Sequence, residues 1–297
     1  MSALRPPVRV ALARTVRTLP TRGDLAYEPK FDGHRMVAFR TGSGVLLQAR
    51  SGRLVTDSFP DLATAVERLP EGTVLDGEAV VWTRAGRTDF AAVQRRAAAG
   101  RVRAAGLARE LPASYAVFDL LALGREDLRR LPLRERRARL TALLEQLGPP
   151  VQAVPQTLDP HVARAWYDSL PPTGVEGLVI KRLDQPYRAG RGEWRKLRHS
   201  ETREAAVVGT VGPAFRPRAL ALVLPDDDTP VISAPLAPAQ RAEIASALAG
   251  PAAPDPATAL AGDGTVYRPV PSGLTVEVLR STTRHAETVV TRLRRPE

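Results

Sequence analysis

The chain alternates short apolar runs with stretches in which Arg and Ala recur at helical spacing. VLLQAR (45–50), TVLDGEAVVW (73–82), YAVFDLLAL (115–123) and GLVIKR (177–182) are rich in Val, Leu and aromatic residues and bounded by Gly, Pro or charge, which predicts strands. Residues 61–69, 90–109 and 133–147 carry the wider periodicity of helices, and Arg-rich 125–139 reads as the solvated face of one. After Arg198 the texture changes. AAVVGTVG (205–212), RALALVLPD (218–226), PVISAPL (230–236), TVYRPV (265–270) and LTVEVLR (274–280) are short strand patterns separated by Pro and Gly, with one helical stretch at 237–250. Such a series of five strands with one intercalated helix predicts a small β-barrel such as an OB-fold. Pro/Ala-rich 249–262 reads as a loop, no internal repeat is present, and the natural boundary lies near 199–204. The expectation is an α+β first domain over 1–200, with antiparallel sheets and flanking helices, and a barrel domain over 201–297.

Composition narrows the class. The 297 residues, 43% hydrophobic and 25% charged, are enough for a sizeable core in a globular protein. No apolar run reaches the length of a membrane span and MSALRPPVRV lacks a signal-peptide core, so a cytoplasmic protein is expected. The absence of cysteine excludes disulfides, thiolate zinc sites and cysteine nucleophiles. His34, His161, His199 and His285 are scattered without metal-ligand spacing and read as structural or solvated. A net charge of +11 points to a polyanion, most often nucleic acid, with a merely solvated basic surface as the alternative.

The basic residues are unevenly chosen. Of 43, only Lys30, Lys181 and Lys196 are lysine. Arginine does not deprotonate in a protein and cannot serve as an amine nucleophile, whereas lysine can. The three lysines are therefore the first places to look for chemistry.

Each lies in a segment with coherent chemistry. In YEPKFDGHR, Tyr27 to Arg35, a lysine attacking a phosphoanhydride needs neighbouring cations to lower its pKa; Asp32 could accept from a ribose hydroxyl, and Gly33 would let the backbone approach a ligand. The alternative is an exposed turn. In LDGEAVVW, Asp76 and Glu78 share a strand face and suit ribose or metal, unless the strand is a solvated edge. Phe118, in YAVFDLLAL, could stack on a base or simply be core. Glu176 leads the strand ending at Lys181, and WRKLR puts Lys196 and Arg198 on one face if extended. These lysines can supply preorganised positive charge to a triphosphate.

The order KxDG, Arg50-Ser51-Gly52, DGE, FD, EGLVIK and WRKLR resembles the covalent nucleotidyltransferase superfamily of DNA ligases, RNA ligases and mRNA capping enzymes. That resemblance implies an ATP-grasp-like nucleotidyltransferase domain followed by an OB-fold. It makes Lys30 the nucleophile that takes AMP from ATP, releases pyrophosphate and passes the AMP to a 5′-phosphate, which a 3′-hydroxyl then displaces. It implies that Glu28 reads the adenine amino group, that Asp32 and Gly33 line the nucleotide, and that Arg35 and Arg50 meet nucleotide or nick phosphate. Phe118 would stack on adenine, and Glu78 would meet ribose or metal. Glu176 would help hold Mg²⁺ or Mn²⁺, and Lys181, Lys196 and Arg198 would bind phosphate. Arg198 stands where the family commonly has a second lysine. In RLRRPE, Arg292 and Arg294 would form the final basic motif orienting pyrophosphate, with tail solvation or DNA backbone contact as the alternative.

DSFPDL (57–62), DFAAVQRR (89–96) and the opening PPVRVALARTVRTLP (6–20) resemble bacterial ATP-dependent DNA ligases, including the ligase module of end-joining enzymes. The resemblance implies a stand-alone, monomeric repair ligase acting on nicked double-stranded DNA near the nucleoid, with a Ku-type end-binding or other repair protein as partner. The rivals are an RNA ligase of the same superfamily and a non-catalytic OB-type nucleic-acid binder.

Overall fold

The computed structural model describes residues 3–248, 258–270, 273–281 and 287–294. The chain divides into two compact units, Met1–Arg198 and His199–Glu297.

The first unit holds strands β1 (Ala13–Thr15), β2 (Leu25–Phe31), β3 (His34–Thr41), β4 (Gly44–Ala49), β5 (Val74–Val81), β6 (Ala113–Leu123), β7 (Glu126–Asp127), β8 (Val151–Ala153), β9 (Val175–Arg182) and β10 (Trp194–Arg198). Its helices are α1 (Pro60–Glu67), α2 (Phe90–Ala97), α3 (Arg101–Glu110), α4 (Leu133–Glu145) and α5 (Pro160–Ser169). One sheet runs β1-β10-β9-β2; the other runs β4-β3-β5-β6-β7, with β8 added beside β6.

Alternation explains how the sheets stack. On β3, Met36 and Ala38 join the larger core with Leu62 and Val66 of α1, Val93 of α2 and Leu140 of α4. Val37 and Phe39 face the other way and pack with Tyr187, Trp194 and the N-terminal Leu4, Val8 and Val10. Because both faces are covered, these strands read in sequence as near-continuous apolar runs. The β2-β9-β10 strip alternates likewise: Leu25, Tyr27, Leu178, Ile180 and Leu197 pack on Ala163 of α5. That leaves Glu28, Lys181, Lys196 and Arg198 for the opposite face.

Two irregularities aim side chains. The β5–β6 register passes from Asp76↔Asp119 to Gly77↔Val117, so Phe118 is the extra residue of a bulge. The β2–β9 register passes from Pro29↔Leu178 to Phe31↔Val175, a bulge where Glu176 meets Lys30. Gly177 sits in it with φ +141°, and a Cβ there would lie 2.0 Å from the Leu197 carbonyl oxygen, so only glycine lets β9 pair with β10.

The second unit comprises β11 (Ser200–Val211), β12 (Ala219–Leu224), β13 (Asp227–Ile232), α6 (Pro238–Ala247), β14 (Ala259–Leu260), β15 (Val266–Pro269), β16 (Thr275–Ser281) and β17 (Thr288–Arg294). The long β11 pairs with β16 over its first half and with β12 and β15 over its second, through a register shift between Val207 and Gly209. The curled sheet encloses Val207, Leu220, Leu222, Leu224, Val276 and Val278, and Ile244 of α6 packs into the same core. This is the small barrel that the strand spacing predicts, with β14 and β17 in addition.

The sequence reading needs correction at several points. Residues 90–109 are two helices, parted at Ala98–Gly100, where Gly100 caps α3. Residues 125–139 are not one solvated helical face: they open with β7 and a short 3₁₀ turn, and Arg136 is completely buried. β5 is an inner strand between β3 and β6, not a solvated edge. The Pro/Ala-rich loop lies outside the described residues over 249–257, and its end contains β14.

Arg136 answers Asp119, which is buried too. Nε donates to Oδ1 at 2.7 Å and Nη2 to Oδ2 at 2.8 Å, while Nη1 donates to the carbonyls of Leu131 and Gln185. A lone buried guanidinium would be costly, so Asp119→Ala is expected to remove about 3–5 kcal/mol of stability. Asp119→Leu with Arg136→Met should restore most of that loss, as read by urea unfolding. Equal losses in the single and double variants would show that packing, not the uncompensated charge, sets the cost.

Candidate active site

The three lysines converge on one face of the β2-β9-β10 strip. Lys181 is buried, with its Nζ 2.7 Å from Glu28 Oε2 and donating to the Phe118 carbonyl at 3.1 Å. The ammonium also lies over the rings of Phe118 (4.8 Å) and Trp194 (4.2 Å). Burial pulls the Lys181 pKa down, and Glu28 and Asp119 oppose that fall. Lys30, at the end of β2, forms an ion pair with Glu176. Arg198 Nε lies 3.6 Å from the same Glu176 oxygen. Lys196 is half-buried beside them; burial lowers its pKa first, and the charges of Arg198, Lys30 and Arg50 lower it further.

Glu28 is likewise buried, so its carboxylate must be fully served. Gln156 Nε2 donates to Oε1 at 2.8 Å, and Arg137 Nη1 stands 3.8 Å from the same oxygen. Glu176 is different. It is 3% exposed, its Oε2 takes Lys30 and Arg198, and its Oε1 has no hydrogen-bond partner among the described residues.

The second sheet contributes the opposite wall. Arg35 grips Asp76 bidentately, Nε to Oδ1 and Nη2 to Oδ2, both at 2.7 Å, and Tyr187 donates its hydroxyl to Oδ2 at 2.6 Å. Burial works against the Arg35 charge, but Asp76 outweighs it and the pKa is raised. The Arg35 guanidinium stacks over Phe118 at 4.5 Å. Of the paired carboxylates in LDGE, Asp76 is thus committed to holding Arg35. The Glu78 carboxyl makes no hydrogen bond or ion pair among the described residues, and its pKa is pushed up to about 7. Burial is the largest cause; Arg35 and Lys30 pull it back, and Asp32 and Asp76 push the same way as burial.

Asp32 and Gly33 form the β2–β3 turn. A Cβ on Gly33 would meet the Ala79 carbonyl oxygen at 2.3 Å and Glu78 Cγ at 2.9 Å, so the close approach visible here is to β5. Phe118 is only partly buried, at the border of the inner cluster, so it is neither plain core nor free surface. Arg50 is exposed after β4 and makes no ion pair among the described residues, though its charge reaches Lys196. In the second unit, Arg292 and Arg294 lie on β17, each paired to Glu277 at 2.9 and 3.1 Å. His34 stacks on Phe59, His161 lies at the start of α5, His199 opens the second unit, and His285 is outside the described residues. The described residues contain no group of three or more His, Asp or Glu able to hold a metal ion.

Sequence reasoning missed Gln156, Arg137, Tyr187 and Trp194. Trp194 shares the WRKLR face with Lys196 and could have been found there. Gln156 gives no local signal. It is brought to Glu28 by a bridge in which Tyr27 and Thr157 exchange backbone hydrogen bonds of 2.9 and 3.0 Å.

The Glu78 carboxyl has a pH signature. With a folded pKa of about 7, above the ordinary glutamate value of 4.5, the native state between these values holds a proton that the unfolded chain has lost. Its contribution to stability is therefore complete below about pH 4.5 and lost as pH rises through 7. In the metal-free protein, Glu78→Gln should flatten the fall in unfolding free energy across that window. An identical pH slope in both proteins would show that Glu78 ionises normally.

Residues 9–198 match the family model of the ATP-dependent DNA ligase domain. DNA ligase C2 of Mycolicibacterium smegmatis is 38% identical over 205 residues, covering 69% of this chain and 57% of that protein. DNA ligase C of Mycobacterium tuberculosis is 36% identical over 209 residues, covering 69% and 58%. The chain thus spans under two thirds of the length of these relatives. Among solved structures, the ligase domain of M. tuberculosis LigD matches with a TM-score of 0.57 at 25% identity, over 96% of this chain and 94% of that one. With a family model covering most of its first unit and the lysine-lined site inside it, the chain belongs to the ATP-dependent DNA ligase family.

Proposed function

We propose that this chain is an ATP-dependent DNA ligase that seals 5′-phosphate/3′-hydroxyl nicks through an adenylate on Lys30. The observation that carries the reading is the convergence of all three lysines on one strip face, with Glu28 and Glu176 between them. Lys30 Nζ attacks the α-phosphorus of ATP; an N–P bond forms and the bond to pyrophosphate breaks. For that attack the amine must leave Glu176 and be deprotonated, and the incoming triphosphate would compete for the surrounding cations. Lys196, Arg198 and Arg50 supply preorganised positive charge, which costs no reorganisation when charge develops on the phosphoryl oxygens. Phe118 offers a ring for adenine, Glu28 an acceptor for its amino group, and Asp32 an acceptor for ribose. Arg35, locked to Asp76, serves better as a rigid wall than as a mobile phosphate ligand.

The residues also fit a hard divalent cation. Among the described residues, Glu176 Oε1 is buried without a hydrogen-bond partner and the Glu78 carboxyl accepts no hydrogen bond; a nearby cation would bring its raised pKa down. These two would hold Mg²⁺ or Mn²⁺, which when bound neutralises charge on the phosphates. Repair of nicks or breaks in nucleoid DNA of the cytoplasm, with a Ku-type end-binding or other repair protein as partner, fits the family. Among the described residues no helix is long and apolar enough to cross a membrane.

Intact mass after incubation with ATP and Mg²⁺ tests the chemistry. A gain of one AMP is expected, reversed by pyrophosphate, lost on chelation and absent in Lys30→Ala. An adduct retained in that variant would remove Lys30 from the role, and no adduct from any nucleotide would favour a plain nucleic-acid binder. Nicked duplexes with deoxy- or ribonucleotides flanking the break then separate DNA from RNA joining.

A further inference from the structure

The wall beside Glu28 is more elaborate than an acceptor for one amino group requires. Arg137, on α4, donates Nη2 to the Val154 carbonyl, and its side chain is mostly buried. Its Nη1 is buried with no hydrogen-bond partner among the described residues, 3.8 Å from Glu28 Oε1. The neighbouring Arg136 is clamped to Asp119, the residue after Phe118, which fixes α4 against the strand that carries the ring. Segment 154–157 spans the same place. The Val154 amide donates to the Val117 carbonyl at 2.8 Å, Gln156 donates to Glu28, and Thr157 bridges to Tyr27. Glu28, Arg137 and Phe118 are thus held to one another by short covalent and hydrogen-bonded paths.

We propose that Arg137 is a nucleobase-recognising residue, donating from Nη1 to a ring nitrogen of adenine while Glu28 accepts from the 6-amino group; this rests on the ligase reading above. The chemistry is that of paired edges. Adenine presents an amino donor flanked by ring acceptors, N1 on one side and N7 on the other. A carboxylate beside an unused guanidinium N–H offers the matching acceptor and donor. Guanine puts the O6 acceptor where adenine has its amino group, which would face the Glu28 carboxylate lone pairs. Gln156 contributes by orientation. A carboxylate only accepts, so the Gln156 amide turns its NH2 toward Oε1 and holds Glu28 in place. A buried donor left unpaired is penalised, so the site should reject a base that cannot satisfy it.

The test measures the rate of covalent nucleotidyl-enzyme formation, as the apparent second-order constant, for wild type and Arg137→Met with ATP, 1-deaza-ATP, 7-deaza-ATP and GTP. In wild type, the deaza analogue lacking the contacted nitrogen should fall about tenfold or more below ATP, and GTP should fall further. Arg137→Met should bring ATP down to the level of that analogue and leave the analogue itself unchanged. A common factor of loss across ATP and both deaza analogues would mean that Arg137 only supports the fold of the pocket, and would overturn the proposal. So would wild type using both deaza analogues as well as ATP, a measurement that stands even if the variant does not fold. Absence of any adduct in wild type with every nucleotide would instead overturn the ligase reading itself, a result separate from either.

Discussion

The buried ammonium of Lys181 is the constraint around which the first unit is arranged. A cation removed from water on this scale is tolerated only if its surroundings replace the lost hydration. Here they do so from both sheets: the Glu28 carboxylate comes from β2, the Phe118 carbonyl and ring from β6, and the Trp194 ring from β10. The same contacts that surround the Lys181 side chain therefore fix the spacing of the two walls. Withdrawing Glu28 would leave the buried cation without its counter-charge, and the carbonyl and rings come from two further strands, so the elements are held jointly rather than pairwise.

How far this was legible in the sequence differs by kind of feature. The alternation of apolar runs located β4, β5, β6 and β9, because each strand's length and boundary are written in local residues. The barrel's inward positions Leu220, Leu222 and Leu224 were equally open to reading. Lys30, Lys181 and Lys196 were conspicuous because arginine had taken nearly every other basic position. Registers were not legible. Phe118 and Glu176 are aimed by bulges, and a bulge is set by what two strands do together, not by either strand's period. Gln156 is placed by a bridge to a strand distant in sequence, which no local pattern encodes.

The arginines show the same limit from the other side. A run such as RERRARL suggests a uniformly solvated face, yet Arg136 is completely buried, Arg137 is mostly so, and Arg134 is exposed. Arg96 on α2 repeats the theme, buried against Asp61 at 2.5 Å and stacked over Phe59. A guanidinium offers five donors in a fixed plane and can satisfy a carboxylate and carbonyls at once, as Arg136 does. A lysine offers a compact cation whose charge can be lost, which suits Lys30 and Lys196. Formal net charge merges these two uses; burial and partners separate them, so the polyanion-attracting field comes from fewer groups than the composition implies.

The carboxylates divide by the same criterion, and the division bears on where chemistry can occur. Asp76, Asp119 and Asp61 are each gripped by an arginine, and a carboxylate so satisfied has little left to give a ligand. Glu28 is also buried and paired, through an amide and a lysine at hydrogen-bond distance, with Arg137 farther off at 3.8 Å. Among the described residues, Glu176 and Glu78 combine proximity to Lys30 with unspent capacity, one through a buried oxygen without a hydrogen-bond partner there and the other through a carboxyl that burial pushes toward neutrality. A buried acceptor without a donor costs free energy, and a protein retains such a group where something outside the chain completes it. The two unfinished carboxylates flank the nucleophile, while the finished ones hold the walls that keep it there.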